Sequence, residues 1–123
     1  MPITLTIDHV QRQVAAVAIG AITYADVENH LLTERTFGGL AYREFVDARE
    51  ATLVFASYPA QIRQIVALIR SLGHETTLGP TAVLVSDDSA FGIMRMLEAL
   101  VEDVAEIRPF REEQLARAWL VAR

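Results

Sequence analysis

Ser86 Asp87 Asp88 Ser89 places two adjacent carboxylates and two hydroxyls between an apolar run, Ala82 to Val85, and an amphipathic stretch. Asp87, Asp88 and Ser89 can accept hydrogen bonds from the open N–H groups of a first helical turn. Their carboxylates also suit the positive end of the helix dipole. As an acid–base pair or a metal site they are poorly arranged, because adjacent residues at a helix start point in different directions. No histidine is expected to help: His9, His30 and His74 fall in a turn, on a helix and in a loop, with no spacing that resembles a zinc motif. No metal or cofactor is therefore expected.

The other candidates have similar alternatives. Ser57 at a helix start could accept a phosphate, which would meet open N–H groups there, or it could be a local cap or an exposed loop serine. Tyr58 precedes Pro59 and is biased away from helix. Arg95, on a helix rich in apolar residues, could reach an anion or a partner's carboxylate. At its spacing it could equally pair with Glu98 or Glu102. Nothing resembles a Gly-x-Ser-x-Gly nucleophile elbow, and Gly38 Gly39 lacks the spacing of a dinucleotide loop. No catalytic residue is assigned.

The elements that must position these residues follow from hydrophobic period. Ile3 Thr4 Leu5 Thr6 Ile7 alternates as a half-buried strand, and Val14 to Ile19, ending at Gly20, returns beside it as a hairpin. Thr23 and Asp26 have capping-box spacing ahead of a helix with Val27, Leu31 and Leu32 on its apolar edge, stopped by Gly38 and Gly39. Tyr42 to Val46 reads as a third strand ending at Asp47. Ala48 to Ser57 reads as a loop, although Leu53 Val54 Phe55 leaves a short strand open. Pro59 suits the first position of a helix carrying Ile62, Ile65, Val66, Ile69 and Leu72, with Gly73 as its end. A strand over Ala82 to Val85, a helix from about Ser89 to Asp103, an edge strand near Ala105 to Arg108 and a last helix around Leu115, Ala118 and Trp119 complete the chain.

The order is ββαβαβαβα, without repeat or linker. It predicts a single α/β domain over residues 1–123, with a mixed, mostly parallel sheet opened by an N-terminal hairpin. In open α/β sheets ligands gather at the carboxyl ends of strands. That rule would bring together Asp47, Ser57, Tyr58, Ser86 and Asp87, with Phe55, Tyr58 and Phe91 as apolar walls.

Composition narrows the function classes. The chain of 123 residues carries a formal charge of −5, and its eleven basic residues, all arginine, form no cluster, which argues against gripping nucleic acid. It has no cysteine, no basic leader ahead of an apolar core and no apolar run near the ~20 residues that span a bilayer. A soluble, cytoplasmic protein is the expectation. The 52% hydrophobic content and the wide apolar arc of the helix after Ser89 suggest a homodimer.

The element order, the stretch Ser86 to Leu100, the following Glu106 Ile107 Arg108 Pro109 Phe110 Arg111 and the terminal Ala118 Trp119 Leu120 together resemble the SpoIIAA-like, or STAS, family. The similarity is to its STAS/SEC14-like bacterial branch in particular, and it covers nearly the whole chain. It implies a SpoIIAA-like fold with about four helices. It also implies roles known for the family: anti-sigma-factor antagonists switched by phosphorylation, regulatory domains of anion transporters and, on the SEC14 side, carriers of apolar ligands. The family's phosphorylated serine stands in an Asp-Ser-Ser/Thr-Gly motif at the second helix. Here that junction reads Phe55 Ala56 Ser57 Tyr58 Pro59, without the aspartate and glycine, so no serine switch is expected. The resulting expectation is a non-enzymatic regulatory or protein-interaction module, with a small apolar or lipid-like ligand as the alternative. Its surface would include Asp47, Ser57, Tyr58, Ser86, Asp87 and Arg95.

Overall fold

The computed structural model describes residues 2–123. Its strands are β1 (Ile3–Asp8), β2 (Gln13–Ile22), β3 (Arg43–Leu53), β4 (Thr81–Leu84) and β5 (Ile107–Phe110), and its helices are α1 (Tyr24–Thr36), α2 (Pro59–Glu75), α3 (Asp88–Val101) and α4 (Glu113–Val121). A short 3₁₀ turn, Val54–Ser57, joins β3 to α2. The five strands lie side by side in chain order, β1 antiparallel to β2 and every later pair parallel.

Sequential strand order decides where the helices go. Each parallel connection favours the right-handed crossover, so strands laid down in one direction send α1, α2 and α3 to the same face. The main core lies there, with Ile65 and Ile69 of α2 and Met94, Leu97 and Val101 of α3 against Ala18, Val83 and Val85 of the sheet. Only α4 returns to the other face, where Ala116 and Leu120 pack with Ala82, Phe45, Phe110 and Trp119. The β2 positions on that face, Val17 and Ile19, remain 41% and 54% exposed, so half of this face has no helix over it.

Three expectations are corrected. Ala48 to Ser57 is not a loop: β3 continues to Leu53 and pairs with β2 beyond a bulge, where Ala48 and Arg49 together oppose Ala18. Around the bulge Ala48 and Ala51 are buried while Arg49 and Glu50 both face out, which breaks the two-residue period that marks a strand. The bulge is held by Asp47, whose carboxylate accepts from the Arg49 backbone N–H at 3.2 Å and from its guanidinium at 3.0 and 2.8 Å. β2 correspondingly runs on through Gly20 to Ile22. Gly73 does not end α2, which continues to Glu75; an added Cβ there would lie 3.1 Å from the Val104 Cβ, so the glycine lets the chain ahead of β5 pack closely. The capping box of α1 forms as expected, Thr23 and Asp26 each bonding the other's backbone N–H, and Pro59 opens α2. Among the described residues no helix is long and apolar enough to cross a membrane.

Candidate functional site

The residues expected at the carboxyl rim are largely occupied with one another. Asp87 is the N-cap of α3 and accepts from the Ala90 N–H at 2.7 Å. Ser86 Oγ donates to the Arg49 carbonyl at 2.7 Å, which ties it to the Asp47–Arg49 pair. Arg49 in turn lies 3.6 Å from Glu113, and Arg111 pairs with Asp88 at 2.6 Å. The Arg49 guanidinium and backbone N–H hold the Asp47 carboxyl below its usual range, against the opposing effect of burial. No hydrogen bond or ion pair among the described residues joins Ser57, Tyr58 or Arg95 to this group. Ser57 ends the 3₁₀ turn, and Tyr58 is the N-cap of α2 without a side-chain bond. Arg95 pairs with Glu98 at 3.3 Å on its own helix. None of the six lines the main pocket; of the expected apolar walls only Phe55 does.

That pocket lies inside the main core, between the sheet and α1–α3. Its volume is about 160 Å³, and its walls include Ala18, Ile22, Phe55, Ile69, Met94 and Leu97. The polar interruption in these walls is a cluster of three ionisable residues, His30, Glu34 and Glu44, only 8%, 3% and 5% exposed. His30 and Glu34 stand four residues apart on α1, so both turn to the sheet. Glu44 lies near the start of β3, on the inward face shared with Val46 and Ala48. The cluster is thus at the amino end of the parallel strands, opposite the rim where the sequence placed a site.

Both glutamates converge on a single nitrogen. His30 Nε2 is 2.7 Å from Glu44 Oε2 and 2.8 Å from Glu34 Oε1. Its one N–H is aligned with Glu44, which leaves Glu34 Oε1 buried without a hydrogen bond. His30 Nδ1, on the opposite side of the ring, is likewise buried and unpartnered. Burial lowers the affinity of His30 for its proton, but the two carboxylates outweigh it and raise the pKa from 6.5 to about 10. Burial, reinforced by the neighbouring Glu44 charge, pushes Glu34 up to about 8 despite His30. Thr81 Oγ1 lies 3.5 Å from Glu44 Oε1.

One ligand atom from each of the three residues lies within 4.8 Å of the others. The expectation that no histidine meets ligand spacing therefore fails for His30. A signal was present: Val27, His30, Leu31 and Glu34 follow the i, i+3, i+4, i+7 stripe of a core-facing helix edge. Glu44 falls in the inward phase of its strand. Neither pattern reveals that the two elements meet, which takes the pairing of β3 beside β2.

No family model matches the chain, and no curated protein sequence does. Among solved structures, the chain is similar to a Shewanella loihica PV-4 protein described as an uncharacterized member of the DUF3478 family with a SpoIIAA-like fold. The similarity has a TM-score of 0.61 at 20% sequence identity and covers 96% of this chain and 93% of that one. The architecture here is accordingly the SpoIIAA-like α/β fold, with a five-stranded mixed sheet and four helices.

Proposed function

We propose that this chain is a non-enzymatic, STAS-like binding module whose internal pocket takes a small, largely apolar molecule. The observation that carries the reading is the 160 Å³ apolar space between the sheet and α1–α3. Protein interiors close-pack and rarely keep voids larger than a water molecule. About 150 Å³ of apolar space accommodates a benzene-sized group. The resemblance of the sequence to the STAS/SEC14-like branch implies the same class of ligand. The non-enzymatic part rests on the rim, where Asp47 and Asp87 are committed to an ion pair and a cap. The lack of cysteine suits a reducing compartment such as the cytoplasm.

Native mass spectrometry of the gently purified protein is the test. A retained small apolar molecule, released on unfolding, is the expected result. No adduct, together with no thermal stabilisation by a panel of benzene-sized compounds, would remove the reading.

A second reading, a homodimer or a protein-partner surface, is favoured by a different observation. Val17 and Ile19 are exposed on the half of the sheet that α4 leaves open, and Met96 and Leu100 of α3 are 38% and 44% exposed. Light scattering at tens of micromolar, a range of order suited to ordinary subunit affinities, would report a dimer if either of these patches, which lie on opposite sides of the sheet, self-associates.

A further inference from the structure

We infer that His30, Glu34 and Glu44 form a binding site for a divalent transition-metal ion such as Zn²⁺, at the polar end of the pocket. The site has three protein donors: imidazole Nε2 and one oxygen from each glutamate, all within 4.8 Å of one another and all on residues at least nine-tenths buried. Glu34 Oε1 ion-pairs at 2.8 Å with the same nitrogen that Glu44 already occupies and makes no hydrogen bond of its own, and His30 Nδ1 is likewise buried without a partner.

Charge is compatible with the assignment. Without an ion the cluster is balanced as an imidazolium, one carboxylate and a protonated Glu34, because burial and the Glu44 charge favour the neutral acid there. A divalent ion with neutral imidazole and two ionised carboxylates balances equally, with release of those protons. The donor set selects the class of ion: imidazole with carboxylate suits Zn²⁺ and its first-row neighbours, whereas Ca²⁺ and Mg²⁺ ask for oxygen alone.

Geometry requires little movement. Ligands about 2.1 Å from a tetrahedral ion lie roughly 3.4 Å from one another. The present separations from Nε2 of 2.7 and 2.8 Å need to open by about 0.7 Å. Three protein ligands leave a fourth position for water or for a polar atom of a pocket ligand. Thr81 Oγ1 beside the other Glu44 oxygen supplies an outer-shell contact. His30 also borders a surface groove between β1 and α1, with Leu5, Ile7, Asn29 and Phe37. The site does not require the apolar pocket to be filled, so the two proposals can fail separately.

The test uses the full chain, stripped with a chelator and titrated with ZnCl₂ by calorimetry. Co²⁺ serves as a spectroscopic substitute. One ion per chain and the intense visible bands of four-coordinate Co²⁺ are expected. Glu34→Gln, which preserves shape, should weaken Zn²⁺ binding by at least about tenfold, since even outer-shell changes cost that much. Glu44→Gln is the second variant should the first melt early. The double variant His9→Ala/His74→Ala removes the two exposed histidines and should bind as the parent does. The site is refuted if the parent binds no ion, if the folded glutamine variant binds Zn²⁺ equally well, or if loss of His9 and His74 abolishes binding.

Discussion

His30 Nε2 lies 2.7 Å from Glu44 Oε2, a buried contact that joins α1 to β3 at the amino end of the parallel sheet. With Glu34 on the same nitrogen, the contact makes stability depend on pH in a definite direction. Folding raises the pKa of Glu34 from 4.5 to about 8 and that of His30 from 6.5 to about 10. For each group the folded chain holds the proton more tightly than the unfolded chain, so stability falls as pH rises. The contribution is complete below the unfolded value and is lost through the folded one. In chelator-treated protein the melting temperature should therefore decline between about pH 5 and pH 10. Glu34→Gln should flatten the acidic half of this decline. A melting temperature that rises across the window would contradict the arrangement.

Removing one member of the cluster should cost far more than removing all three. His30→Ala leaves two buried carboxylates facing each other and should destabilise by about 3–5 kcal/mol. A triple change of His30, Glu34 and Glu44 to leucine or methionine should be near neutral or stabilising in metal-free protein, because the burial cost of the charges goes with them. Urea unfolding of the two variants provides the comparison. A triple variant as unstable as His30→Ala would mean that the cluster is structural in its own right.

Asp87→Ala should destabilise by about 1 kcal/mol through loss of the α3 cap. Binding per folded molecule should stay unchanged, because Asp87 bonds Ala90 and does not line the pocket. Denaturant unfolding paired with a ligand titration separates the two effects. A loss of binding at normal stability would return function to the carboxyl rim.

Gly79→Ala should be severely destabilising. Its Cβ would meet the carbonyl oxygens of Ala41 and Tyr42 far inside contact distance, and backbone cannot move aside cheaply. The Gly79 N–H also donates to the Leu40 carbonyl at 2.8 Å, fixing the approach to β4 behind Glu44. Soluble expression and a normal melt of this variant would show that the packing there is looser than described.

The fold was legible where local pattern and tertiary role agree. Alternation in Ile3 to Ile7, the Thr23–Asp26 capping box and Pro59 each state their element within a few residues, and strand–helix alternation then dictates a sheet with crossovers. It was illegible at Ala48 to Leu53, because a bulge puts Arg49 and Glu50 on the same side and the two-residue period disappears. The candidate site was illegible for a different reason. Asp47, Ser86 and Asp87 carry conspicuous chemistry near strand ends, yet helix starts and bulges need the same residue types for local bonds. His30 and Glu34 sit quietly in a core stripe beside Val27 and Leu31. Their significance depends on Glu44, which only the pairing of β3 beside β2 brings to them.

The most direct test of a ligand-binding pocket is the melting temperature with and without benzene, measured on the parent and on Ala18→Ile. Ala18 is a buried pocket wall on β2, where a β-branched side chain suits the strand and fills part of the space. Benzene should raise the melting temperature of the parent, as any molecule that binds only the folded state does. Ala18→Ile should melt at or above the parent and respond to benzene weakly or not at all. A parent indifferent to benzene, with Ala18→Ile destabilised by overpacking, would mean that the core has no space to offer a ligand.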